Sequence, residues 1–152
     1  MIDTRIGEYL RENGEAIITP VGTSMWPMLR NRRDTVLLTM PQGRLKKYDL
    51  PVYRREDGML VMHRVMEVDN NSYTMCGDHQ TELEHGIRDE QMIAVVKGFY
   101  RDEKYIAADN KLYMLYCKFW CKSLKRRHRM FVLISYWDIL KFKIKKIFVK
   151  KQ

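Results

Sequence analysis

Between residues 15 and 106 the chain is a succession of short runs rich in β-branched and aromatic residues, each closed by turn-forming residues. That pattern predicts a mainly antiparallel β fold. The runs occupy residues 16–19, 35–39, 50–54, 59–68, 72–76 and 92–100. Asn31-Arg32-Arg33-Asp34, Pro41-Gln42-Gly43, Glu56-Asp57-Gly58 and Asp69-Asn70-Asn71 separate them. The last two read as hairpin loops, so the middle of the chain is expected to meander. Ahead of the strands, residues 3–13 read as a short helix. Asp3 and Thr4 are candidate caps, Ile6, Tyr9 and Leu10 form its apolar stripe, and Gly14 ends it.

The texture changes after Ala107. Leu112, Leu115, Tyr116, Phe119 and Trp120 recur at helical spacing, followed by Lys125-Arg126-Arg127-His128-Arg129, an apolar stretch over 130–140 and a lysine-rich stretch over 141–150. The expected organisation is a β core with a short N-terminal helix over 1–107 and a basic, amphipathic helical extension over 108–152. Residues 111–152 hold 13 Lys or Arg against one acid, Asp138, a charge of +12. The whole chain carries +9, which leaves −3 for residues 1–110. Such asymmetry points the tail, not the body, at an anionic partner. The uncharged run is about half of what a bilayer span requires. The tail is therefore expected either to lie in the headgroup layer of an anionic membrane (or against a transporter), or to cover one side of the β core with its lysines in water.

The N-terminal stretch MIDTRIGEYLRENGE has no apolar segment and reads as neither a signal peptide nor an anchor. Three cysteines, Cys76, Cys117 and Cys121, cannot all pair within one chain and fit a reducing compartment. The expected location is the cytoplasm, or the periphery of a membrane. Neither Cys76 with His79 and His85, nor Cys117 with Cys121 and His128, has zinc-finger spacing, so no metal or cofactor is expected. The basic run at 125–129 could bind nucleic acid, but the stacking aromatics and groove-reading signatures of such modules are absent from the body, and no nucleic acid is expected.

The chemistry concentrates in Gly22-Thr23-Ser24-Met25-Trp26-Pro27-Met28-Leu29. Gly22 frees space for an approaching backbone and Pro27 sets the turn after the serine. A serine needs a base to act as nucleophile. His63, inside the apolar run Val61-Met62-His63-Arg64-Val65, is the candidate. On one continuous strand Val61, His63 and Val65 would share a face, with Met62, Arg64 and Met66 on the other.

These stretches resemble the type I signal peptidases. The Ser24 segment resembles their Ser-Met-x-Pro box, and Lys47-Tyr48-Asp49-Leu50-Pro51-Val52-Tyr53 resembles the next box, with Tyr48 where Gly is common. The segment from Val61 to Val68 resembles the His-Arg-hydrophobic box of the archaeal, endoplasmic-reticulum and sporulation-type branch. Cys76-Gly77-Asp78-His79-Gln80 resembles the Gly-Asp-Asn box, and residues 92–98 the closing strand, with Lys97-Gly98 in reversed order. The likeness spans about residues 15–100.

The resemblance implies a signal-peptidase/LexA-like β core and a serine endopeptidase that trims a leader, signal or precursor peptide bound as an added strand. Ser24 would be nucleophile, His63 general base and Asp78 the support of the imidazole. The Ser24 N–H would be one oxyanion donor. Gly22, Thr23, Met25, Pro27 and Arg64 complete the expected oxyanion and substrate-binding set. Two other functions share the same features. A LexA-like self-cleaving regulator would need more than the 23 residues that precede Ser24. A peptide- or membrane-binding module would keep the fold without the reaction.

Overall fold

The computed structural model describes residues 2–149, with side chains over 5–134 and at 136 and 137. Helix α1 (Ile2–Asn13) leads into β1 (Glu15–Ile18), β2 (Thr35–Thr39), β3 (Pro51–Arg54), β4 (Leu60–Met62), β5 (Arg64–Val68), β6 (Tyr73–Cys76), β7 (Glu84–Ile87), β8 (Met92–Arg101) and β9 (Lys104–Ala107). Two helices follow, α2 (Lys111–Cys121) and α3 (Leu124–Val149). The protein is mainly β with a few helices. The expected caps Asp3 and Thr4, and the lysine face of residues 141–150, lie outside the described side chains.

One antiparallel sheet runs β1-β2-β8-β3-β4 with β9 also on β8, and a second runs β5-β6-β7. Strand β8 organises the first. Ten residues long, it pairs with β2, with β3 through Met92–Val95, and with β9 through Gly98–Arg101. Val36, Leu38, Val52, Ala94, Val96 and Phe99 point into one core, closed by Leu10 of α1 and by Tyr113 and Cys117 of α2. Tyr53 of β3 joins Val65, Tyr73, Met75 and Ile87 in a second cluster where the two sheets meet. Each such side chain, fully buried, contributes about 1.5–3 kcal/mol.

The two expected hairpins are present: β3 pairs with β4 across Glu56-Asp57-Gly58, and β5 with β6 across Asp69-Asn70-Asn71. The run over 59–68 differs from expectation. It is not one strand: β4 lies at the edge of the first sheet, β5 begins the second, and His63 is the residue between them. Val61, His63 and Val65 therefore do not share a strand face. An apolar run suits either sheet, so the composition of residues 59–68 carries no sign of the crossing. Backbone hydrogen bonds from Tyr48 N to Val65 O (2.8 Å) and from Val65 N to Asp49 O (2.9 Å) fix the new direction.

Helix α2 starts at Asn110, whose side chain accepts from the Leu112 and Tyr113 N–H groups. It buries Tyr113, Cys117, Trp120 and Cys121, a stripe at helical spacing, against the β core. No helix among the described residues is long and apolar enough to cross a membrane.

Candidate functional site

Ser24 sits in a series of turns between β1 and β2. The segment is anchored from below, because Met25, Met28 and Leu29 are core residues. It is anchored from the side by Arg101, which donates to the Pro27 carbonyl (3.1 Å) and to that of Met28. Buried Asp34 accepts from Arg30 and Arg101, tying the end of the segment to β8. Burial opposes ionisation of Asp34, but the Arg30 hydrogen bonds outweigh it and hold the carboxyl below the usual carboxylate range. Gly22 has φ of 121°, a conformation that favours glycine, and its N–H donates to Asn31 Oδ1 (2.9 Å).

The Ser24 carbonyl accepts from the His79 N–H at 2.7 Å. A Cβ on Gly77 would come within 2.6 Å of that same carbonyl oxygen, so only glycine allows the approach. The Ser24 segment is thus seated on the turn from Gly77 to Gln80. The Ser24 N–H has no partner among the described residues.

His63 is 3% exposed. Its Nδ1 lies 3.3 Å from the Tyr53 hydroxyl and 3.7 Å from Glu84 Oε2. Tyr53 spends its one proton on Glu84 Oε2 (2.8 Å), and Arg55 donates to both oxygens of that carboxylate. The Tyr53 oxygen can therefore only accept from His63, which places the imidazole proton on Nδ1 and the lone pair on Nε2. Burial and the Arg55 charge lower the His63 pKa below its ordinary value, against the opposing pull of Glu84. Glu84 itself stays ionised: burial raises its pKa, and the Arg55 and Tyr53 hydrogen bonds more than reverse that. The result is a neutral histidine with a defined tautomer, the state a general base requires.

Asp78 makes no hydrogen bond to His63 and does not orient it; only its charge reaches the imidazole, favouring the protonated form. Its carboxylate takes Arg64 Nε and Nη2 at 2.8 and 2.7 Å and the Tyr116 hydroxyl at 3.1 Å, all in a site where both charged side chains are fully buried. Arg64 also donates to the Tyr48 carbonyl, Tyr113 Oη and Cys117 Sγ. Burial disfavours its charge, yet Asp78 holds the guanidinium well above its ordinary pKa. Arg64 is consequently a structural cation and lines no open cleft. The carboxylate at His63 is Glu84, which the sequence reading missed. It lies in β7, a strand with no sequence signal, and faces His63 only through tertiary pairing.

The two halves of the site line separate clefts, joined in the chain at Met62 and His63. Ser24, Gly22 and Met25 line a pocket of about 230 Å³ closed on its far side by residues 59–62, which include edge strand β4. His63 follows directly in the chain and lines a second cleft, about 580 Å³, with Arg55, His79, Glu84, His128 and Phe131. Thr23 is exposed and Pro27 half-buried; neither lines these clefts. No hydrogen bond joins Ser24 to His63.

Helix α3 reaches this site through Arg127, which is 1% exposed. Its Nη1 donates to the Gly77 and Gln80 carbonyls at 2.8 and 2.9 Å, and its guanidinium faces the thiols of Cys76 and Cys121. All three cysteines are free and buried. His79 stands between Trp26 (centroids 5.1 Å apart) and Phe131 (4.4 Å), linking the Ser24 segment to α3. No family model matches the chain, and no curated protein or solved structure matches it.

Proposed function

We propose that the chain is a serine endopeptidase of the signal-peptidase type that cleaves a leader or precursor peptide with Ser24 as nucleophile and His63 as general base. One observation carries this reading: a buried His63, with Nδ1 facing the Tyr53 hydroxyl and Glu84, stands at the end of the edge strand that lines the Ser24 pocket. An extended peptide has an unpaired strand edge to join at β4, and the pocket beside Ser24 receives a small side chain next to the cut.

The steps follow from the residues. His63 Nε2 takes the Ser24 Oγ proton as Oγ attacks the scissile carbonyl. The unpartnered Ser24 N–H meets the oxyanion. The imidazolium is stabilised by ionised Glu84, 3.7 Å away, and then protonates the leaving amine. The reading requires that the Ser24–His63 hydrogen bond, absent here, form in the substrate complex, as catalytic hydrogen bonds often do. Tyr48 adds support from another direction. It stands where the resembled box commonly has Gly, and its φ is 80°, in the region that favours glycine.

A peptidyl phosphonate with alanine at its reactive position tests the reading. Labelling of Ser24, located by peptide mapping and lost in both Ser24→Ala and His63→Ala, is the expected outcome. Equal labelling of the His63→Ala variant would remove His63 from the mechanism.

A further inference from the structure

We propose that the outer face of α2, continued along α3, docks the protein on an anionic lipid bilayer. This inference stands apart from the peptidase reading. Leu112, Leu115 and Phe119 are 78%, 64% and 52% exposed, and their spacing places them on one stripe of α2. The opposite side of the helix carries the buried stripe of Tyr113, Cys117 and Trp120, so the core does not require these three. Exposed Lys111, Lys118 and Lys122 flank them.

Arg126 of α3 lies over the Phe119 ring, 4.0 Å from its centroid, and donates to the Phe119 carbonyl. It joins the two helices on this face. Leu133 and Trp137 follow seven and eleven residues after Arg126, on the same helical stripe, and are 60% and 62% exposed. Tyr136, 68% exposed, sits beside them. The face therefore carries two exposed apolar groups, Leu112-Leu115-Phe119 and Leu133-Tyr136-Trp137, with Arg126 between them and further cations beside them.

Charge selects the occupant. Residues 111–152 carry 13 cationic side chains and one acid, so a second copy of the same face would be repelled. A nucleic acid would use the cations and leave the leucines in water. An anionic bilayer uses both, with leucine and tryptophan entering the acyl boundary and lysine and arginine at the headgroups. His128 and Phe131, which line the cleft at His63, lie on the opposite side of α3 from Leu133 and Trp137, so the docked face leaves that cleft uncovered.

The test is co-flotation of the full chain with vesicles of phosphatidylcholine containing roughly one-quarter phosphatidylglycerol, against phosphatidylcholine alone. Binding to the anionic vesicles only, weakened as salt is raised to about 0.5 M, is expected. Leu112→Gln/Leu115→Gln/Phe119→Gln and Lys118→Glu/Lys122→Glu should each reduce partitioning by at least about tenfold. Circular dichroism checks the fold, and single Leu115→Gln replaces the triple variant if that does not fold. Absence of wild-type binding, or undiminished binding by the glutamine variant, would overturn the proposal. So would concentration-dependent dimerisation that the glutamine variant abolishes in the absence of vesicle binding.

Discussion

At the scale of single residues, His63 and Gly77 carry the sharpest consequences. His63 is held below its ordinary pKa by burial and by Arg55, while Glu84 and, after it, Asp78 pull the other way. Under the peptidase reading, kcat/KM rises with pH as His63 loses its proton, with a midpoint below about 6.5. Glu84→Gln removes the carboxylate and leaves Arg55, so the midpoint should move further down in a pH–rate profile. An upward shift would contradict the assignment of Glu84 as the partner of His63. Stability follows the same linkage. The folded value is depressed, so the contribution of His63 is present above the unfolded value and lost as pH falls through the folded one. Gly77→Ala places a methyl group 2.6 Å from the Ser24 carbonyl oxygen and 2.7 Å from Gln80 Oε1. Gln80 can swing aside; the backbone carbonyl cannot. A cost of about 1–3 kcal/mol in urea denaturation is expected, with a displaced Ser24 segment and a larger loss of activity than of stability.

At the scale of elements, the site depends on helices that composition presents as an appendage. Helix α2 closes over the Arg64–Asp78 pair: Tyr113 accepts from Arg64, Tyr116 donates to Asp78, and the Trp120 indole donates to the Asp78 carbonyl at 2.8 Å. Asp78→Asn leaves a buried guanidinium without its counter-charge and should cost about 3–5 kcal/mol by denaturant titration. The double variant Arg64→Met/Asp78→Leu should recover most of that loss; no recovery would mean that the pair fixes the fold by more than charge neutralisation. Helix α3 acts through Arg127, which satisfies two carbonyls of the turn beneath Ser24. Arg127→Met leaves them bare, and about 1–3 kcal/mol of destabilisation is expected by thermal or urea unfolding.

The same elements separate what the sequence reveals from what it hides. The turns at 56–58 and 69–71 are legible because Asp, Asn and Gly act on their own backbone. The break at His63 is not, since both neighbours of the crossing are apolar strands and no Gly or Pro marks it. Strands β7 and β9 are only four residues each, and they form because β6 and β8 offer them an edge. Ser24 and His63 are legible as residue types in recognisable stretches. The partners of His63 are not. Asp78 is near His63 in the chain but its carboxylate is engaged by Arg64, while Glu84 of β7 and Arg55, just past the end of β3, pair beside His63.

At the scale of the molecule, two sheets meet along Tyr53 and Val65, and the site lies at the point where the chain passes from one to the other. Strand β8 is paired along both edges and should exchange its amides most slowly, while β1 and β4, at the two ends of the first sheet, should open at lower free energy. Native-state hydrogen exchange reads this directly. Protection of β4 equal to that of β8 would mean that its edge is not available to an added strand.

The central claim is that Ser24 and His63 together cleave peptides. Its most direct test is to incubate the protein with a library of extended peptides bearing small residues and follow the products by mass spectrometry, with Ser24→Ala and His63→Ala in parallel. Cleavage next to small residues by the wild type, reduced at least about 1000-fold in both variants, is the predicted result. A folded wild-type protein that cleaves nothing, with or without anionic lipid, or a His63→Ala variant that cleaves as the wild type does, would contradict it.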